Sequence, residues 1–323
     1  MTLVSRRYVF LLIPGYSQLG FACALEALSL ANTHPSGQTY YTWLVLSVDG
    51  APVPAYNGIT TVVDGPLTEL HHDDTLVVCA GEHAGAGSTK PVLNWLRRET
   101  RRGIDFGALS SGAYTLALAG LLSGKRVVTH WQYRDALCEL LPDVTIEKGL
   151  FAIDGRVFTS AGGAASMDMM LARIRDEYGQ DLATWVADQM VYTHPRQKEH
   201  AQRMSAGGPA EARNPKLALA LQAMANNLED PLRPDEIADL VGLSTRQLER
   251  LFAKYMAVSP KRHYLSLRLE KARGLLRQTS MTVTDICVAC GFQSLSHFSK
   301  CYRSNFGLSP GQEMRGSHLL WTS

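Results

Sequence analysis

Hydrophobic and polar positions follow two patterns along this chain, and the change falls near residue 193. Before it, short apolar runs alternate with helical periodicity, and such continuous runs are typical of strands buried on both faces. Strands interleaved with helices predict an α/β domain with a doubly wound parallel sheet. The strand-like runs are Tyr8–Ile13, Trp43–Val48, Thr75–Cys79, Ile104–Leu109, Val127–His130 and Val157–Thr159. The helical stretches are Phe21–Ala31, Pro91–Arg102, Ala113–Leu122, Gln132–Leu141 and Ala165–Tyr178.

The stretch 193–214 is polar and contains Pro and Gly, which predicts a linker between two domains. The expected boundaries are 1–192 for the α/β domain and 215–318 for an all-α domain. In that second domain, residues 235–260 and 284–310 repeat one pattern. Each copy predicts a helix that ends at Gly and a second helix capped by Ser. The paired positions are Gly242 with Gly291, Ser244 with Ser294, and Ser259-Pro260 with Ser309-Pro310.

Two helix-turn-helix units in tandem can place two recognition helices in DNA. Between them, the stripe of Pro260–Arg277 predicts a rod of roughly 27 Å, close to one DNA turn of about 34 Å. Outward polar residues on the two recognition helices are candidates for base contact, with a solvated helix face as the alternative for each. These candidates are Arg246, Glu249 and Arg250 in the first unit, and Ser296, His297 and Lys300 in the second.

Charge supports the division of the chain. From residue 215 onward there are 14 Lys and Arg against 9 Asp and Glu, whereas residues 1–214 have 18 against 21. A basic C-terminal domain suits contact with phosphates. Met1–Pro14 resembles neither a secretory leader nor a membrane span, so a cytoplasmic protein without membrane contact is expected. Cys287 and Cys290 form a C-x-x-C without a second ligand pair, which favours buried thiols over a metal site.

One strand end has its own chemistry. Ile104–Leu109 runs directly into Ser110-Ser111-Gly112 and a helix, which is the strand–turn–helix elbow of a nucleophile. Backbone N–H groups at such a turn can bind an anion. The alternative is that Ser110 simply caps the helix.

Residues 215–315 resemble the DNA-binding domain of the AraC/XylS family of transcription regulators. The resemblance lies in both helix-turn-helix units and in Gly291-Phe292, His297-Phe298, Phe306-Gly307 and Ser309-Pro310. It implies binding to double-stranded promoter DNA, contact with RNA polymerase, and activation of catabolic genes in response to a small-molecule effector. It also implies that the six outward residues named above face bases.

Residues 8–190 resemble the class I glutamine amidotransferase-like superfamily, in the branch of intracellular-protease-like and isocyanide-hydratase-like proteins. The matching stretches include Ile13-Pro14-Gly15-Tyr16, the elbow, and Thr129-His130-Trp131. Enzymes of that branch have Cys at the elbow and an acidic residue after the first strand; here those positions are Ser110 and Gly20. Both changes remove what activates a nucleophile. The resemblance therefore predicts a ligand-sensing domain that dimerises, without catalysis, cofactor or metal; a hydratase or amidase with an added DNA-binding domain is the alternative.

The predicted ligand site lies beyond the strand ends around the elbow. Its floor is Ser110 and Ser111, and its walls are Tyr16, Glu82, His130 and Trp131. Backbone N–H groups suit a carboxylate, whereas aromatic faces and a carboxylate side chain suit a cationic amine. The predicted ligand is an amino acid, an amine or a betaine-like compound. For two of these residues there is an alternative to ligand contact. Trp131 can be part of the hydrophobic core, and His130 can be a hydrogen-bonded structural imidazole.

Overall fold

A computed structural model of the chain describes residues 4–81, 84–141, 143–202 and 214–319. For residues 316–319 it describes the backbone only. The chain divides into two compact units, Met1–Gln202 and Arg203–Ser323. Among the described helices, none has the length and apolar character needed to cross a bilayer.

The described part of the first unit is built on a six-stranded sheet with the order β2-β1-β5-β6-β10-β9. Five of these strands are parallel, and β9 pairs with β10 in the antiparallel direction at one edge. Short two-stranded pairs, β3 with β4 and β7 with β8, lie outside this sheet. The strands are β1 Arg6–Leu12, β2 Tyr41–Leu46, β3 Val53–Pro54, β4 Thr60–Thr61, β5 Thr75–Ala80, β6 Asp105–Ser110, β7 Arg126–Val127, β8 Thr145–Ile146, β9 Phe151–Asp154 and β10 Val157–Ser160.

Helices cover both faces of this sheet. Along β1, Tyr8, Phe10 and Leu12 pack in one core cluster with α1, α6 and α7, while Val9 and Leu11 are equally buried outside that cluster. This double burial explains why β1 is a continuous apolar run. The helices are α1 Gln18–Ala31, α2 Ala84–Gly87, α3 Lys90–Thr100, α4 Gly112–Leu118, α5 Arg134–Leu140, α6 Ala165–Tyr178 and α7 Gln180–Gln189, with a 3₁₀ turn at Trp131–Tyr133.

The sequence-based prediction of a doubly wound α/β domain is confirmed, with differences at its edge. Of the run Val127–His130, only Val127 lies in a strand, the two-residue β7, which pairs with β8 outside the main sheet; the chain then enters the 3₁₀ turn. The edge strand β9 and the helix α7 were absent from the sequence-based prediction. The hairpin between β9 and β10 contains Gly155 at φ 63°.

The stretch that the sequence assigns to a linker begins inside this unit. The Asp168 carboxylate accepts hydrogen bonds from the backbone N–H of Arg196 at 2.7 Å, from its guanidinium at 2.7 and 3.0 Å, and from the hydroxyl of Tyr192 at 2.8 Å. The Asp168 side chain is fully buried, and a buried carboxylate needs such partners. The unit therefore continues through Gln202; residues 203–213 lie outside the described residues.

The described part of the second unit is helical, and the expected all-α domain is confirmed. Its two recognition helices are α10, Thr245–Met256, and α13, Leu295–Phe306. The helices are α8 Pro215–Asn226, α9 Pro234–Leu240, α10 Thr245–Met256, α11 Pro260–Gln278, α12 Val283–Ala289, α13 Leu295–Phe306 and α14 Pro310–Leu319.

The two helix-turn-helix units share their backbone details. Gly242 and Gly291 have φ of 62° and 71° in the two turns, a left-handed conformation that favours glycine. Ser244 accepts from the N–H of Gln247, and Ser294 accepts from the N–H of His297, so the same cap begins each recognition helix. The duplicated sequence pattern thus produces duplicated geometry.

The helix α11 joins the two units. Near its start, the Tyr264 hydroxyl donates to the carbonyl of Asn227 and accepts from the N–H of Leu232, on the segment between α8 and α9. One turn later, the Arg268 guanidinium donates to the carbonyls of Cys290 and Gly291, at the end of α12. One helix therefore bonds both the segment that precedes the first helix-turn-helix unit and the turn of the second unit.

Candidate ligand site and DNA-binding surface

Ser110 ends β6 with φ of 58°, which places a residue that has a Cβ in the left-handed region. Such a conformation costs about 1–3 kcal/mol and persists only where the surroundings enforce it. Gly162 contributes to that enforcement: a Cβ at Gly162 would lie 2.6 Å from the Ser110 Cβ and 3.0 Å from its Oγ. The elbow geometry predicted from the sequence is present, and the serine is held in it.

Hydrogen bonds fix the elbow to its neighbours. The carbonyl of Gly81, just after β5, accepts from the Ser111 hydroxyl at 2.5 Å and from the Tyr133 hydroxyl at 2.9 Å. The carbonyl of Ser110 accepts from the Thr129 hydroxyl at 3.0 Å. Three successive chain segments beyond the strand ends are thereby tied together.

The Ser110 hydroxyl itself makes no hydrogen bond with another described residue. The candidate base on the adjoining turn, His130, uses Nδ1 to accept the N–H of Gln132 at 3.4 Å. Burial lowers the pKa of His130 below the ordinary value for histidine, which favours the neutral ring. Within the described residues, no side chain is placed to take the proton from Ser110 Oγ.

Trp131 follows His130, and its ring lies 5.5 Å from the imidazole between centroids. Its side chain is 41% exposed, so it is a surface residue rather than a core residue. His130 and Trp131 therefore lie together on the turn that adjoins Ser110, whose carbonyl accepts from the His130 N–H at 3.4 Å.

Two other predicted ligand residues, Tyr16 and Ser111, are less accessible. Tyr16 is fully buried, and its hydroxyl lies 2.5 Å from that of Thr61. Ser111 is also fully buried and its hydroxyl is used on Gly81. Direct contact of either side chain with a ligand stays a prediction. Glu82 lies outside the described residues.

Two contributors to the elbow were missed by sequence reasoning. Tyr133 and Thr129 anchor it through the hydroxyl bonds described above. Thr129 lies in the stretch Thr129-His130-Trp131, but nothing in that stretch indicates a bond to the elbow. Arg134, one turn after His130, has a buried Nε with no partner among the described residues. A guanidinium N–H without a partner can donate to an anionic group.

A separate groove of about 410 Å³ runs along α1, and none of the predicted ligand residues lines it. The groove does not coincide with the elbow, so the two are distinct features of this unit. Its lining residues are Gln18, Phe21, Ala22, Cys23, Leu25, Glu26, Thr61 and Met190.

The six predicted DNA-contacting residues are all exposed on α10 and α13. Arg246, Glu249 and Arg250 share one face of α10, opposite the buried Leu248 and Phe252. Of the six, only His297 has a side-chain hydrogen bond with a described residue, between its Nε2 and the Sγ of Cys301 at 3.4 Å. Exposed charges without an internal partner can reach base edges or phosphates without first breaking an ion pair.

A groove of about 670 Å³ separates α11 from α13. Its lining includes His297 and Lys300 from α13 and Arg262 from α11. The basic character of this groove continues the basic character of the recognition helix.

The two cysteines of the C-x-x-C do not line this groove. Both are buried, and the Cys287 Sγ donates to the carbonyl of Phe292 at 3.5 Å.

An α/β domain with a serine elbow, followed by tandem helix-turn-helix units, defines a DNA-binding transcription regulator with a sensor-type domain. Residues 237–316 match the helix-turn-helix domain family, and residues 6–176 match the DJ-1/PfpI family. The chain belongs to the AraC/XylS family of transcription regulators and has an N-terminal DJ-1/PfpI domain.

Relatives match over nearly the whole chain. The chain is 41% identical over 310 residues to the HTH-type transcriptional regulator CdhR of Pseudomonas aeruginosa, covering 96% of this chain and 92% of that protein. It is 40% identical to the regulator GbdR of the same species, covering 96% and 84%. A crystal structure of an AraC family transcriptional regulator from Pseudomonas putida matches 57% of this chain and 99% of its own, with 29% identity and a TM-score of 0.51.

Proposed function

We propose that this protein is an activator whose first unit binds a zwitterionic metabolite and thereby changes promoter binding by the second unit. The observation that carries the proposal is the elbow: Ser110 is held at φ 58° with a hydroxyl that bonds no described residue. Strained positions of this kind cluster at functional sites. The adjacent turn presents His130 and the exposed Trp131.

The ligand class follows from the groups around the elbow. The indole of Trp131 suits an ammonium or trimethylammonium group, a contact worth up to about 2 kcal/mol when desolvated. The Ser110 hydroxyl, and the Arg134 Nε one turn after His130, which has no partner among the described residues, suit a carboxylate. Amino acids and betaine-like compounds have both groups on one small molecule, and Tyr16, Glu82 and Ser111 stay proposed contributors to the same site.

A thermal-shift screen of amino acids and methylated amines tests this class. A ligand at 100 times its Kd adds about 2.7 kcal/mol to the stability of the folded protein. Trp131→Ala and Ser110→Ala should lose that shift while DNA binding without ligand is retained. A full response in both variants would place the ligand elsewhere, with the groove along α1 as the next site to test. Turnover of an amide or isonitrile that is lost in Ser110→Ala would support the enzyme alternative instead.

On DNA, Arg250 and Arg246 are proposed to donate to guanine, and Glu249 to accept from cytosine. Ser296, His297 and Lys300 are proposed to contact the next major groove or its phosphates. Activation further implies contact with RNA polymerase at the promoter, in the cytoplasm. A footprint that covers two major grooves on one face of the duplex supports the assignment; protection of one groove alone contradicts it.

We further propose that the protein forms a homodimer through its first unit. Large apolar side chains are exposed on α1, on the segment between β3 and β4, directly after β4, and after α7. The Asn57 amide donates to Gln18 Oε1 at 2.6 Å, so the first two of these regions adjoin. These exposed side chains are Leu19, Tyr56, Ile59, Val62 and Val191. Val62→Glu with Ile59→Glu should convert a dimer to a monomer in sedimentation experiments.

A further inference from the structure

Gln202 is the last described residue of the first unit, and its side chain reaches back to the loops around the elbow. Its amide nitrogen Nε2 donates to the carbonyl of Thr129 at 3.0 Å and to the carbonyl of Gly149 at 2.8 Å. The chain therefore leaves this unit at a residue that is bonded to the segment leading into His130 and Trp131.

Thr129 connects this amide with the elbow. While the Thr129 carbonyl accepts from Gln202, the Thr129 hydroxyl donates to the carbonyl of Ser110 at 3.0 Å. Thr129 is 1% exposed, so this path runs through the interior. A displacement of Ser110 would alter the bond from the Thr129 hydroxyl, and a displacement of the adjoining His130 would move the Thr129 carbonyl that Gln202 binds.

The segment before Gln202 is docked on the same loops. The N–H of Leu150 donates to the carbonyl of Lys198 at 2.7 Å. The backbones approach so closely that a Cβ at Gly149 would lie 2.1 Å from the Lys198 carbonyl oxygen. Arg196 adds its ion pair with Asp168. The exit segment 196–202 is thus docked on the loops that adjoin the elbow.

One polar atom of the docked segment lacks a hydrogen bond within the described residues. Gln202 Oε1 is buried and has no hydrogen-bond partner among the described residues. A buried polar atom without a partner is unfavourable, since it loses its bonds to water. Among the described residues, the amide of Gln202 is therefore held by its nitrogen alone, so a small rearrangement can strengthen or release the docking of this segment.

We propose that Gln202 couples the ligand site to the DNA-binding unit. A shift of Thr129, and so of the elbow, changes the hydrogen bond to the Gln202 amide and thereby the docking of the segment that leads to the DNA-binding unit. This inference rests on the proposed ligand response and adds the path by which that response leaves the first unit. A ligand shifts the equilibrium only if it interacts differently with the docked and released states.

The first test uses the full-length chain, glycine betaine as the probe, and a promoter fragment. Gln202→Leu should keep the thermal shift that glycine betaine produces and lose the change in promoter affinity. Gln197→Leu is the matched control, because Gln197 is exposed and its side chain has no described partner; it should respond like the parent. A parental DNA response in Gln202→Leu overturns the proposal.

The second test needs no ligand, so it separates the coupling path from the ligand class. Hydrogen exchange of the Leu150 amide reports whether the exit segment is docked. Thr129→Val, which removes only the bond to the elbow, and Gln202→Leu should each speed this exchange roughly fivefold, the effect of one net hydrogen bond. The double variant should add little beyond either one. Unchanged exchange in Thr129→Val, or full additivity, overturns the path even if glycine betaine fails to bind.

Discussion

The turn of the first helix-turn-helix unit is held by a lysine at the surface, whereas the turn of the second is held by a half-buried arginine. Lys216 Nζ donates to the carbonyl of Gly242 at 2.9 Å. Arg268 donates to the carbonyls of Cys290 and Gly291 at 2.7 and 2.6 Å and lies 4.1 Å above the Phe292 ring. One backbone design is thus supported by two different arrangements of side chains.

The units also differ four residues after the paired serines Ser259 and Ser309. The first unit has His263, beside the Phe252 ring, and the second has Glu313, paired with Arg273 and Arg277. The repeat therefore fixes caps and turns, while charge and burial differ between copies. This difference lets the two units respond separately to mutation and to pH.

The largest expected effect is from Arg268→Met. Hydrogen bonds to a charged donor contribute about 1.5–3 kcal/mol each, so losing both should lower the unfolding free energy by about 3 kcal/mol in all. Lys216→Met is the control and should cost about 0.5 kcal/mol, because its partner interaction is exposed. Urea unfolding followed by far-UV circular dichroism measures both. Equal losses in the two variants would mean that the two turns are supported alike.

Substitutions on the recognition helices compare the exposed faces directly. Arg250→Ala should weaken promoter binding by about 1–3 kcal/mol and relax base preference at one or two positions. Lys300→Ala should weaken all sequences alike and reduce the salt slope by about 1, as expected for a phosphate contact. Fluorescence anisotropy over a salt series separates the two. An unchanged sequence preference in Arg250→Ala would remove it from the base-reading set.

The N-caps should behave alike in the two units. Ser244→Ala and Ser294→Ala each remove a side-chain acceptor from the first turn of a recognition helix, at a cost of about 1 kcal/mol. Replacement by Asp instead should restore most of the stability. Unfolding experiments on the four variants provide the measurement. If one cap proves silent, that recognition helix is held by packing rather than by its cap.

The smallest expected effect is a pH dependence that differs between the units. Burial lowers the pKa of His263, so its contribution to stability is complete above about pH 6.5 and is lost as the pH falls below that value. For Glu313, burial acts to raise the pKa, but Arg277 and Arg273 outweigh it and the pKa is lowered. That contribution is complete above about pH 4.3 and is lost only at lower pH.

His263→Phe tests this order, with Glu313→Gln as its counterpart. The phenylalanine variant should show a flatter stability profile between about pH 7 and 5. The glutamine variant should keep the parental slope there and differ in more acidic solution. A His263→Phe profile parallel to the parent would assign the slope to another group.

The sequence predicted the repeat and the elbow because both depend on local chemistry. Gly242, Ser244 and their counterparts specify turns and caps within a few residues, and Ser110 follows a strand directly. The docking of the exit segment 196–202 on the first unit was not predictable in this way. That stretch is polar and contains Pro195, so it resembles a linker, and its partners Asp168, Gly149 and Thr129 are distant in sequence.

The single helix α11 also sets a rule for how this family member can change in length. An α-helix turns about 100° and rises about 1.5 Å per residue. One residue inserted in the middle of α11 would therefore swing the whole second helix-turn-helix unit about a quarter of a turn away from the first. Insertions that preserve the angular phase come in steps of about seven residues, which add roughly 10 Å. The proposed contact of both units with one duplex therefore links the length of this helix to the spacing of the two sites on the DNA.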